Sequence, residues 1–346
     1  MNMRYVSDVN VGKSIIHVID PQGGEPVLAN KSMEMNVSEL EFITKHVVKA
    51  LSDDENFRCR CVNKDREVYQ SILKIMEDRE NLVEESKKMT EKLFEIMKRF
   101  DEQPAGDLLF TMFFADGIEC LAILKLDYIE SYTHQIDFVD GELAVKLVTQ
   151  ETGLPAGGAR LKKCAFFKKI GEDDLEILVI NKNAKSDPDE IKELFTFEFL
   201  GVEIVDDPTS MTRRVRSTFE NWARKNLKDD IEKATELRDK VEDVLLNEGD
   251  VDVQQIAVEV FQGNVHMQNE MLEEAGKRGL SPSITFPVDK TWVEKKMKAK
   301  QIKTDTGLVI KGEYDLFSDS AKFEIRRNGD GTVDYVIKGV RNVSER

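Results

Sequence analysis

The sequence predicts an α+β protein: an antiparallel sheet with flanking helices, then a helical region and a small carboxy-terminal β module. Three observations carry that expectation. Apolar segments of strand length are joined by Asp116-Gly117 and Asn328-Gly329-Asp330-Gly331, turns that tolerate the positive φ of tight hairpins. Elsewhere apolar residues recur at helical spacing, most clearly over residues 66–100 and 207–276. The hydrophobic period changes near Asp187 and again near Ile284. Those changes divide the chain into an α+β domain over 1–185, a helical region over 186–283 and a helix-plus-meander module over 284–346.

The elements follow in order. Residues 14–20 are rich in β-branched side chains and read as a strand, Pro21-Gln22-Gly23-Gly24 as a turn, and Pro26-Val27-Leu28 as the start of the return. A helix capped near Asn36 or Ser38 presents Leu40, Ile43, Val47, Val48 and Leu51 on one face. Residues 66–100 read as two helices broken near 78–81, with Val68, Ile72, Leu82, Met89, Leu93 and Ile96 on their apolar sides. The strands over 108–115 and 118–126 are apolar almost throughout, which marks a central, well-covered hairpin. Further strands over 133–138, 143–148, 160–170 and 175–180 make a sheet of five or six strands. Residues 181–188 read as a linker.

The loop Gly153-Leu154-Pro155-Ala156-Gly157-Gly158-Ala159 lacks the patterns that open a phosphate-binding helix, so it reads as a connecting loop. The strand after it carries Arg160, Lys162, Lys163, Lys168 and Lys169 around Phe166 and Phe167. That is the pattern of a lysine-guarded edge, with DNA contact as the alternative.

Asp207-Pro208-Thr209-Ser210 opens a helix with a capping residue and an early proline. Along and just after it lie Arg213, Arg214, Arg216, Arg224, Lys225 and Lys228, the densest basic cluster in the chain, with Phe219 and Trp222 on the buried side. The next helix, over 229–246, is strongly acidic, so ion pairing between the two helices competes with phosphate contact as the role of the cluster. Residues 252–276 read as one further amphipathic helix. After it come Ile284-Thr285-Phe286-Pro287-Val288-Asp289 and a lysine-rich helix. Its Lys295, Lys296, Lys298 and Lys300 are spread around the axis at about 100° per residue. Strands over 307–312, 323–327 and 333–339 close the module.

That last order, Phe286-Pro287-Val288-Asp289, a basic helix, Gly307-Leu308-Val309-Ile310 and Ile337-Lys338-Gly339, resembles the carboxy-terminus of bacterial nucleoid-associated proteins of the YejK/NdpA type. A second stretch in the expected order strengthens it: Ile16-His17-Val18-Ile19-Asp20, Glu25-Pro26-Val27-Leu28, Glu39, Phe42 and Lys45-His46 look like the amino-terminal pattern of the family's Gram-positive members. The resemblance implies a DNA-associated protein of the bacterial cytoplasm and nucleoid.

Composition sets the bounds. The formal net charge of −16 argues against indiscriminate coating of nucleic acid, so DNA contact requires cations gathered in local patches. No stretch approaches the roughly 20 apolar residues of a membrane span. Cys59 and Cys61 lack a second Cys/His pair for zinc, and His17 and His46 read as structural or surface histidines. No catalytic or cofactor motif is present, which points away from an enzyme. A metal-dependent nuclease built on Asp107, Asp116 and Glu119 is the least favoured alternative. The expected function is a nucleoid-associated structural protein that holds double-stranded DNA with low sequence specificity. It would act through Arg213, Arg214, Arg216, Arg224, Lys225, Lys228, Lys295, Lys296, Lys298 and Lys300, with no cofactor and no membrane. The alternative is a scaffold that joins the nucleoid through a DNA-processing protein partner. A homodimer is compatible with either.

Overall fold

A computed structural model describes residues 3–53, 55–100, 103–139, 142–182, 193–228, 230–329 and 332–342. The chain falls into two compact units, Met1–Val205 and Asp206–Arg346. Most of the segment read as a linker, residues 183–188, lies outside the described residues.

The first unit is built on a seven-stranded antiparallel sheet. Its strands are β1 (Val9–Ile19), β3 (Gly106–Ala115), β4 (Ile118–Asp127), β7 (Lys163–Lys169), β8 (Leu175–Asn181), β2 (Phe57–Cys61) and β9 (Val202–Ile204), side by side in that order. The sequence expectation of five or six strands missed the short strands β2 and β9. Both faces are covered. Helix α1 (Val37–Leu51) packs Ile43 and Val47 onto Leu109, Phe113, Leu124 and Phe166. On the opposite face α2 (Glu67–Glu77), α3 (Leu82–Met97) and the π-wound α4 (Glu193–Leu200) bury Ile72, Leu93 and Phe195 with Phe110, Ile123, Phe167 and Ile177. Two covered faces explain why β3 and β4 are apolar almost throughout instead of alternating. The first unit reaches Val205 because Leu194, Phe199 and Val202 belong to this core and β9 pairs with β2.

Local chemistry sets the ends. Asn36 caps α1 through a reciprocal box with Glu39. Asp116 (φ 46°) and Gly117 (φ 81°) make the hairpin turn between β3 and β4, and Asp116 accepts the Ser7 and Asp8 amides.

Three expectations for this unit change. Residues 133–138 and 143–148 do not join the sheet; they belong to a separate ribbon of β5 (Ile129–Val139) and β6 (Glu142–Gly153). The lysine-bearing β7 is not an edge but an inner strand between β4 and β8. Its Lys168 is buried with Glu176, while Arg160 reaches Asp53 and Lys162 approaches Asp127. Finally, Asp107 sits at one end of β3, accepting a hydrogen bond from Tyr128, whereas Asp116 and Glu119 sit at the other end. The carboxylates proposed for a nuclease do not converge. Among the described residues no group of three or more His, Cys, Asp or Glu is placed to hold a metal ion, and no helix is long and apolar enough to cross a membrane.

His17 is buried. Its Nδ1 accepts the Ala29 amide at 3.0 Å and its Nε2 lies 2.9 Å from Ser86 Oγ, which donates onward to the Val83 carbonyl. That chain needs a neutral ring with its proton on Nε2. Burial, aided by the Lys87 charge, lowers its pKa to about 4. His46 is also buried, edge-on to Phe42 with ring centroids 4.7 Å apart.

The second unit holds α5 (Pro208–Asn226), α6 (Ile231–Asn247), α7 (Val253–Val260) and α8 (Val265–Lys277). The single helix expected over 252–276 is therefore two, separated near Gly263, whose φ of 78° no helix allows. Strand β10 (Asp250–Asp252) pairs with β11 (Thr285–Pro287), and α9 (Lys290–Met297) follows. The expected three-stranded meander is instead two independent hairpins. Strand β12 (Ala299–Lys303) pairs with β13 (Val309–Glu313); after the short α10 (Tyr314–Ser318), β14 (Phe323–Arg327) pairs with β15 (Val333–Ile337).

Candidate nucleic-acid interface

Helix α5 begins where Asp207 accepts the Ser210 amide at 2.7 Å and Pro208 occupies the first turn, which has no helical N–H to lose. Met211, Val215, Phe219, Trp222 and Ala223 form its buried stripe. Trp222 meets Phe261 edge-on at 5.2 Å between centroids. The stripe decides which basic residues can face water.

The ten basic residues expected to contact DNA separate into two groups. Arg213 lies inside the unit, only 9% exposed. Arg214 is tied down, with Nη2 on Asp206 at 2.9 Å and Nη1 on the Gly279 carbonyl at 3.3 Å. Arg216 is half-buried, its guanidinium 5.9 Å from the Trp292 ring centroid. Lys300 is not on the basic helix at all. It belongs to β12 and reaches the acidic helix α6, 2.8 Å from Glu242 and 3.3 Å from Asp239. Burial works against its charge, and those carboxylates outweigh burial, so its pKa is raised. The remaining residues, Arg224, Lys225, Lys228, Lys295, Lys296 and Lys298, are exposed.

The competing ion-pair reading of the basic cluster is met in another form. A pair that joins α5 to α6 has the opposite polarity, Glu220 on α5 with Arg238 on α6 at 2.8 Å. Lys300 also answers the acidic face of α6.

Helix α9 is held onto this group by its own first turn. Asp289 accepts the Trp292 amide and the Thr209 hydroxyl, and its amide donates to Thr212 Oγ1 at 3.0 Å. Lys290 donates to the Leu245, Leu246 and Glu248 carbonyls at the end of α6, where a cation satisfies the helix terminus. Trp292, Val293 and Met297 are buried. Residues 284–297 thus pack with the helical group, and a truncation there would open its core rather than remove an appendage.

These contacts also fix direction. Helix α9 starts beside Thr209 and Thr212 of α5 and beside the end of α6, and Lys300, just past its end, meets the middle of α6. So α9 runs the same way as α5. The exposed lysines at its carboxy-terminal end therefore lie beside the middle of α6, and α5 runs on in the same direction to Arg224, Lys225 and Lys228. Sequence spacing separates them by about seventy residues, which is why no local motif could show it.

Lys225 also borders a groove between α5 and α8, about 200 Å³ in volume, lined by Glu270, Glu273, Glu274, Lys277 and Arg278. Two of its acidic residues are paired one turn along the chain, Glu273 with Lys277 and Glu274 with Arg278.

No curated protein matches the chain. A family model described as nucleoid-associated protein YejK matches residues 15–344, nearly the whole length. The chain belongs to the nucleoid-associated protein YejK family, and its role is nucleoid-associated.

Proposed function

We propose that the protein binds double-stranded DNA directly through phosphate contacts made by Arg224, Lys225, Lys228, Lys295, Lys296 and Lys298. The observation that supports this reading is their exposure: these cations face solvent at or just past the carboxy-terminal ends of two helices that run the same way, in a chain whose net charge is −16. Whole-chain charge governs long-range steering, while phosphate contact depends on the local patch. Side chains of this kind at helix ends position a protein on the backbone without reading base edges, so little sequence preference is expected.

The test is purified protein titrated onto a labelled 40-base-pair duplex at moderate salt. The expected result is binding with a dissociation constant of about 10⁻⁴ to 10⁻⁶ M, similar for unrelated sequences. Absence of binding over that range would favour the second reading, in which the protein reaches the nucleoid through a DNA-processing partner. That reading draws support from the acidic net charge and from the internal engagement of Arg214, Arg216 and Lys300.

A further inference from the structure

The ribbon of β5 and β6 leaves the sheet as a two-stranded arm. Strands of this length extend on the order of 35 Å at roughly 3.4 Å per residue. In its register Tyr132 faces Thr149, His134 faces Leu147, Ile136 faces Val145 and Phe138 faces Leu143. Directly opposed residues of an antiparallel pair point to the same side, so these rows form one face. The other face carries Ser131 with Gln150, Thr133 with Val148, Gln135 with Lys146 and Asp137 with Ala144.

The first face is apolar and open to solvent. Tyr132 is 67% exposed, Ile136 58%, Phe138 71%, Leu143 63%, Val145 63% and Leu147 78%. Scattered exposed apolar residues are ordinary, but a contiguous patch on an isolated ribbon is not. A two-stranded ribbon is at best marginally stable in water without something against its face.

We propose that this face packs against the same face of a second copy of the chain, the two arms lying antiparallel across a two-fold axis. Size favours it. The six side chains leave on the order of 700 Å² open, close to the roughly 800 Å² that each partner gives to a standard interface. Shape favours it as well. An axis passing between the His134–Leu147 and Ile136–Val145 rows sets the bulky Phe138–Leu143 row of one arm over the Tyr132–Thr149 row of the other, where the small threonine leaves room. Charge disfavours DNA as the occupant. The arm carries Glu130, Asp137, Glu142 and Glu151 against Lys146, which would repel phosphate. The interface is isologous, so each contact occurs twice and the assembly closes at two. It is independent of the phosphate contacts proposed above.

The experiment is sedimentation equilibrium of the full chain over a range of concentrations. Wild type is expected to run at twice the 39.5 kDa chain mass. The double variant Phe138→Ser/Leu147→Ser is expected to dissociate at least about 100-fold more readily, because two large apolar anchors, Leu147 beside the axis and Phe138 in the outer row, are lost. A control on the opposite face, Gln135→Ser/Lys146→Ser, should remain a dimer and report that the arm still forms. A wild type that stays monomeric to about 50 µM, beyond the roughly micromolar weak end of standard-size interfaces, would overturn the proposal and leave the face to another protein. So would a dimer that survives the apolar substitutions, or one lost equally with both pairs.

Discussion

Asp53→Ala is expected to destabilise the first unit by about 3 kcal/mol, the scale of breaking a buried ion pair by removing one partner. The Asp53 side chain is 2% exposed and accepts from Arg160 at 2.8 and 3.1 Å and from Lys182 at 2.6 Å. Burial alone would raise its pKa, but these cations outweigh burial and hold the carboxyl well below the usual carboxylate range. Removing it leaves Lys182, only 14% exposed, without its nearest anion and frees the Glu55 amide that Asp53 also holds. The loss is not larger because Arg160 is 55% exposed and can return to water, and Glu55 lies within 3.8 Å of both cations. Urea melts followed by far-ultraviolet circular dichroism read this, since Trp222 and Trp292 both lie in the second unit and their fluorescence reports elsewhere. A shift below about 1 kcal/mol would show that Glu55 has replaced the lost carboxylate.

Acidification should weaken the same unit through His17. Its folded pKa, about 4, lies below the ordinary 6.5 of the unfolded chain, so the folded state prefers the neutral ring. That contribution is complete above pH 6.5 and is lost as pH falls through 4. Between pH 7 and 4.5 it amounts to about 2 kcal/mol. Burial lowers His46 in the same direction. A His17→Gln variant, which cannot titrate, should start less stable at pH 7 and lose about 2 kcal/mol less over that interval than wild type. Parallel stability profiles for the two proteins would mean that His17 takes up a proton without cost and that its hydrogen-bond chain does not require neutrality.

Much of the fold was legible because its signals are local. The Asp116-Gly117 turn, the Asn36 cap, the Pro208 helix start and the unbroken apolar runs of β3 and β4 each follow from neighbours in sequence. The errors arose where long-range pairing decides. The alternation of 133–138 and 143–148 suits a half-buried sheet strand as well as it suits an arm with one apolar face, and nothing local distinguishes them. The lysines around β7 look like edge guards until β8 is seen beyond them and Glu176 against Lys168. The site suffered most. Charge density along α5 and α9 located the cations, but whether each faces water depends on Asp206, just before α5, and on Trp292, Asp239 and Glu242, distant in sequence from the residues they hold. Lys298 and Lys300 were assigned to a helix that ends at Met297.

The central claim is that exposed cations at the ends of α5 and α9 contact phosphate while the buried and half-buried ones do not. The slope of log affinity against log salt measures it, compared among wild type, Arg224→Ala/Lys225→Ala/Lys228→Ala and Arg214→Ala/Arg216→Ala on one duplex. Each phosphate contact adds about 0.9 to the slope, so the triple variant should be shallower by roughly 3, with relative affinities for different sequences unchanged. The Arg214→Ala/Arg216→Ala slope should match wild type. A triple variant with the wild-type slope, or a loss of slope confined to the Arg214 and Arg216 pair, would contradict the account.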